Sequence, residues 1–200
     1  MDDKTLEKGY RLTFDNAEQL IIDADILKKS GRHQRAYTLY QLAIEEIGKC
    51  RILWKAIIEY YHGKEITLKY LKKNGFINHQ GKTKESLTSE FSAIWFYEQS
   101  SGNKLDEMKN QIGDDYKNVS VIDLKKNRSL YVDVESDNFI SPVDSITKEM
   151  VDEIELKAKI RFNSEEPIMK SLEEMKKTAQ GIKELENNPE KLKSLLSKYT

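Results

Sequence analysis

AYTLYQLAIEEIGKCRILWKAIIEYY, residues 36–61, decides the fold. Set out at about 100° per residue, Ala36, Leu39, Tyr40, Ala43, Ile47, Cys50, Trp54, Ile57, Ile58 and Tyr61 share one face. Leu42 and Leu53 widen that face on one side and Ile44 on the other, giving an apolar arc of roughly 200°. A surface helix needs less. The stretch is predicted to form a long central helix over 33–62, touched from two sides, so the chain reads as mainly α.

Upstream, Asp15 and Glu18 form a capping-box pattern. Ala17, Leu20, Ile21, Ala24 and Leu27 then follow at helical spacing, and Gly31 stands where a helix stops. A first helix over 16–30 is expected. Downstream, a short helix over 65–73 ends at Asn74-Gly75, and FINHQGKTK reads as a loop. A helix over 84–111 carries Leu87, Phe91, Ile94 and Trp95, with SSGN at 100–103 as a candidate break. Within 114–143, SLYVDVESDNFISP alternates apolar and polar residues up to Pro142. It reads as a strand or hairpin, or as an extended segment laid on the helices. Residues 144–180 return to a helical pattern, interrupted at Pro167, and a last helix is expected near Pro189 with Asn188 as cap. The division expected is a helical core domain, 1–143, and C-terminal helices, 144–200. The latter are rich in Lys and Glu, which leaves packing on the core, pairing with another chain, or partial mobility open.

Composition narrows the function classes. Two hundred residues can bury a real core without a disulfide or metal staple. Charged residues make up 34% and hydrophobic ones 38%, which suits a charge-rich helical protein better than a disordered one. A net charge of -1 argues against a uniformly basic, phosphate-gripping surface while leaving room for a local patch. The single Cys50 excludes an intrachain disulfide framework and a cysteine-based zinc site. His33, His62 and His79 show no metal-ligand spacing, so no metal or other cofactor is expected. There is no signal-peptide pattern at MDDKTLEKGY and no apolar run near about 18 residues. A cytoplasmic protein without membrane contact is the expectation.

Several residues could carry chemistry. Glu45 and Lys49 form an i,i+4 pair, and Glu45 lies opposite the apolar arc, where a solvated pair is the plain reading. Glu46 and Arg51 fall inside the arc, and each needs a partner from elsewhere if buried. That makes Glu46 either half of a packing ion pair or a site carboxylate with a shifted pKa. His79, in a polar loop three residues before Lys82, is either idle or a general acid/base beside a phosphate-holding cation. Arg128 precedes the apparent strand, on which Tyr131 and Asp133 would share a side. The alternative is an edge strand with an exposed polar face.

Three segments taken together, AYTLYQLAIEEIGKCRIL (36–53), NHQGK (78–82) and RSLYVDVESDNFISP (128–142), resemble the AbiV family of bacterial abortive infection proteins. The features are an EE-x-GK helix, an H-x-x-K loop and a later LYVD segment ending in Pro, and the likeness spans about residues 15–145. The resemblance implies phage defence, in which an infected cell halts an essential process such as translation after a phage-encoded protein triggers the effector. It further implies kinship with the HEPN helical bundles, many of which are dimeric ribonucleases acting without metal. A homodimer, and RNA or the translation machinery as partner, are therefore expected. The motif positions are Glu45, Glu46, Lys49, His79, Lys82, Arg128, Tyr131 and Asp133. The sequence departs from the HEPN pattern, which sets an Arg four to six residues before a His: none of the three His has one. RNA cleavage would then need a composite site, with His79, Glu46 and Lys82 or Arg128 as base, acid and phosphate-holding cation.

Overall fold

The computed structural model describes residues 1–186, Asn188 and Glu190. The helix expected near Pro189 lies outside the described residues. Among the described residues, eight helices and one hairpin follow in order: α1 Asp3–Lys29, α2 His33–Tyr61, α3 Leu68–Lys73, α4 His79–Ser101, α5 Asp106–Lys117, α6 Val119–Arg128, β1 Asp133–Glu135, β2 Asn138–Ile140, α7 Pro142–Ser145 and α8 Lys148–Glu186. The protein is a helical bundle with a small β-hairpin, as the sequence predicts.

The boundaries differ from expectation where local signals meet a longer stripe. Helix α1 begins at Asp3, about three turns before the Asp15 capping pattern, and Asp2 caps it by accepting the Thr5 amide (2.8 Å). Leu6, Tyr10 and Phe14 are buried and extend the Ala17–Ile21–Ala24 stripe backwards, so packing overrides the internal cap. Helix α4 begins at His79, not 84, because the Asn78 side chain accepts the Gly81 amide (2.9 Å). It stops at Gly102, which takes a left-handed φ of 73°. Two short helices follow: α5 overlaps the tail of the helix expected over 84–111, and α6 lies just before the segment read as strand, hairpin or extended. Helix α8 runs unbroken through Pro167. The hairpin pairs Val134 with Phe139 and turns through Ser136 and Asp137, both at positive φ, as a tight hairpin turn demands.

Helix α2 is central. Its arc is covered within the chain by α1, α4 and α8. One core cluster joins Leu6, Tyr10 and Phe14 to Cys50, Leu53, Ile57 and Leu172; a second joins Ile21, Ala24, Tyr37, Tyr40 and Ile44 to Val151, Ile154 and Ala158. Phe162 touches both and stacks on Phe14 at 4.6 Å. Helix α8 is thus a wall of the core. The buried face of α2 is rotated from the expected one: Gln41, Glu45, Gly48 and Ile52 are inside, whereas Leu42 and Trp54 are only half-buried.

Gly48 explains the rotation. A Cβ at that position would lie 1.8 Å from the carbonyl oxygen of Lys82, so the first turn of α4 rests on the bare backbone of α2. Gly48→Ala should lower unfolding stability by about 1–3 kcal/mol or more through overpacking. Gly113→Ala, in open space on α5, should raise it by about 0.5–1 kcal/mol. Urea midpoints of the two variants check the contrast; equal shifts would mean the α2–α4 contact is looser than described.

Candidate functional site

The close approach of α4 to α2 sets the first turn of α4 over Glu45. This residue is only 2% exposed, although the sequence put it on the solvent side. Its carboxylate is saturated. Oε1 accepts from Lys126 Nζ (2.7 Å), and Oε2 accepts from Lys82 Nζ (2.7 Å) and faces His79 Nδ1 (2.7 Å). An ionised carboxylate only accepts, so Nδ1 carries the proton toward it, and in the neutral ring Nε2 is the acceptor. Lys82 and Lys126 are buried, while the His79 side chain is 57% exposed. Lys126 also grips Asp123 (2.7 Å), one turn back on α6. Burial pushes the Glu45 carboxyl up, but the bonds from Lys126, Lys82 and His79 outweigh it and hold the group below its ordinary range. Burial likewise lowers the Lys126 ammonium, and Asp123 and Glu45 more than restore it.

The other motif residues fall into separate pairs. Glu46 is half-buried and bonds to Lys49 (2.5 Å), so the pair on this helix is i,i+3 and not Glu45–Lys49. The carboxylate against His79 is Glu45, and no bond joins Glu46 to His79. Arg128 closes α6 and binds Asp133 (2.8 Å) and Glu135 (3.3 Å) at the start of the hairpin. Tyr131 is exposed and lies before the strand, so it does not share a strand face with Asp133. Arg35 of α2 donates to the Leu130 carbonyl (3.0 Å) and ties the segment down.

Two further ion clusters lie along α4, and sequence patterning places neither. Glu165 of α8 is fully buried; it accepts from Tyr10 of α1 (2.8 Å) and Ser89 of α4 (2.6 Å) and lies 2.9 Å from Arg51 Nε of α2. Arg51 also donates to the Thr88 carbonyl and the Ser92 hydroxyl. Burial raises the Glu165 carboxyl above its ordinary value, against the pull of Arg51, Ser89 and Tyr10. Arg161, also buried, holds Glu90 (2.8 Å) and Ser86 (2.9 Å). Arg51 thus has the partner that its place in the arc demanded. Asp123, Lys126, Glu165 and Arg161 escape sequence reasoning because most of their partners are distant in the chain; only the Asp123–Lys126 spacing, one helical turn, is a local signal.

For a metal, Glu45, His79 and Asp123 each offer one ligand atom, all within 4.8 Å of one another. The Lys126 ammonium bonds to both carboxylates, and Lys82 to one. A cation would have to displace charges already there, so these residues do not fit a metal as arranged. Among the described residues, no helix is long and apolar enough to cross a membrane.

Glu45 of α2, His79 and Lys82 of α4 and Lys126 of α6 thus form one charge cluster inside a helical bundle. The family model HEPN_AbiV, described as AbiV, matches residues 5–161. The chain belongs to the AbiV family, and with it to the HEPN-type abortive infection proteins. No curated protein and no solved structure matches it.

Glu45→Gln tests the cluster. Removing the charge leaves two buried ammonium groups underpaired, and a loss of about 3–5 kcal/mol is expected near neutral pH. The sign with pH is fixed by the depressed carboxyl: the unfolded chain binds the proton more readily, so this stabilisation is present above the unfolded Glu pKa and lost as pH falls through the folded one. Urea unfolding across acidic pH should give a shallower slope for Glu45→Gln than for the parent. Parallel slopes would show that Glu45 does not couple to folding.

Proposed function

We propose that this protein is an abortive infection effector that shuts down translation by binding its target, after activation by a phage-encoded protein. One observation carries the choice of binding over catalysis: the cations of the Glu45 cluster and the motif arginine are already held in ion pairs. Lys82 and Lys126 are held by Glu45, and Arg128 by Asp133 and Glu135. A phosphate arriving at the cluster would meet no free cation among these. The effector works as a homodimer in this reading. The apolar arc of α2 is covered within the chain by α1, α4 and α8, but Phe91, Trp95 and Phe96 of α4 stand exposed, and a second copy is the occupant proposed for them.

The second reading is a HEPN-type, metal-independent ribonuclease, and one feature favours it. His79 is exposed, with its ring oriented by a buried carboxylate, which is how a general base is positioned. Glu45, not Glu46, would then be its partner. The trigger would have to release Lys82 or Arg128 to supply the phosphate-holding charge.

Cells expressing the protein are infected with a sensitive phage, and protein synthesis and RNA integrity are followed together, with His79→Ala in parallel. Synthesis that stops with RNA intact is expected. RNA cleavage that vanishes in His79→Ala would overturn the binding mechanism in favour of the nuclease.

A further inference from the structure

A groove of about 910 Å³ opens where α2, α4 and α8 meet. Its walls are apolar: Trp54 of α2, Ala93 and Phe96 of α4, and Ile160, Pro167 and Ile168 of α8. No lysine, aspartate or glutamate lines it, whereas such residues make up most of the lining of the cleft between α1 and α8. An apolar groove of this size with a few polar groups has the character of a small-molecule site. Two polar groups open into it. Arg51 commits Nε to Glu165 (2.9 Å) and Nη2 to the Thr88 carbonyl (2.9 Å) and the Ser92 hydroxyl (2.7 Å). Nη1 takes no partner among the described residues and, unlike Nε, still reaches solvent, although the whole side chain is only 9% exposed. On α8, Pro167 has no amide hydrogen, so the Asn163 carbonyl loses its usual donor one turn on. Asn163 and Pro167 both line the groove.

These two groups narrow the ligand. The free N–H groups of Arg51 call for an acceptor oxygen. The charge of Arg51 is already answered by Glu165, so a carboxylate entering the groove would be desolvated without a charge of its own to meet. The Asn163 carbonyl calls for an N–H donor. One neutral group offers both an oxygen and an N–H: a secondary amide. We propose that this groove binds an uncharged, apolar small molecule carrying a secondary amide, with the amide oxygen on Arg51 and its N–H on the Asn163 carbonyl. Trp54, Phe96, Ile160 and Ile168 cover the apolar body, whose burial drives the binding. Phe96 is 66% exposed at the lip, where the groove meets the outer aromatic face of α4. A second copy on that face would share this one residue with the ligand, and the binding itself holds for a translation inhibitor and for a nuclease alike.

The chain has two tryptophans, Trp54 in the groove wall and Trp95 outside it, so in Trp95→Phe the tryptophan emission reports on the groove alone. Titrating N-decylacetamide into the full chain of that variant should change the Trp54 emission saturably, at one ligand per chain. Ala93→Phe, which fills the groove, should weaken binding by about tenfold or more. Thermal melts confirm that this variant is folded, and Ala93→Leu serves as a milder change of the same kind. Phe139→Ser removes an exposed ring from the hairpin and should leave the titration unchanged. Pro167→Ala returns an amide hydrogen to the Asn163 carbonyl, so it should raise the melting temperature and yet weaken the amide by roughly threefold to tenfold, the worth of one hydrogen bond. N-decyl-N-methylacetamide has no N–H to offer and should bind Pro167→Ala and its parent alike. Decanoate, with a chain of similar length, should bind more weakly than the amide. A saturable response with these dependences supports the proposal. No saturable response, an equal loss in Phe139→Ser, or decanoate binding tighter than the amide would overturn it. So would a Trp54 signal that follows protein concentration and resists the amide, which would name a second copy as the occupant.

Discussion

Gly48 of α2 lies against the carbonyl of Lys82 with no side chain between, and the arrangement of α4 depends on that contact. A helix lowered this far onto its neighbour must present small or polar groups to it. Helix α4 does so with Lys82, Thr83, Ser86 and Ser89 facing inward, all buried. Gln41 of α2 donates to Thr83 (3.2 Å). The aromatic residues Phe91, Trp95 and Phe96 are left on the outside. In an ordinary amphipathic helix they would be the core.

The polar interior this creates is organised in layers. Glu45 takes cations from α4 and α6, Arg161 of α8 takes Glu90 of α4, and Glu165 gathers groups from α1, α2 and α4. Buried ion pairs return little net stability, because the cost of desolvation offsets much of the attraction. Their effect is directional. Sliding α4 by one turn would strand several buried charges at once, and each stranded group costs far more than a paired one gains. The hydrophobic clusters around α1, α2 and α8 supply the cohesion, and the ion layers fix where α4 sits on them.

The same distribution of charge divides the molecule's surface functionally. The Glu45 cluster is largely neutralised from within, and its one titratable group with a well-exposed side chain is His79. Lys72 and Lys73 at the end of α3 and Lys84 on the outer side of α4 line a cleft one step away, beside Tyr116. Aromatic side chains stand exposed on the outer face of α4 and on the hairpin, where Phe139 is 81% exposed. A charge cluster, a basic cleft and an aromatic face thus all meet on α4, and any movement of this helix would be felt by all three.

The sequence by itself determined the helical class, the central place of residues 33–62, an extended or hairpin segment near Pro142 and the family, because periodicity and short motifs are local and survive without a fold. It also singled out Glu45, His79 and Lys82 as motif positions, through resemblance and not through spacing. It assigned the wrong glutamate to the interior, since the apolar arc of α2 marks only the faces covered by α1 and α8. The third covering helix meets α2 through polar groups, and hydrophobic patterning is blind to such an interface. Of the apolar residues read on the helix over 84–111, Leu87 and Ile94 are buried and Phe91 and Trp95 are exposed, a division that only the packing of α4 makes. Tertiary structure alone decided that Lys126, Asp123, Arg161 and Glu165 are held in interior ion clusters, because a buried charge is defined by a partner, and these have partners from one helical turn to more than a hundred residues away.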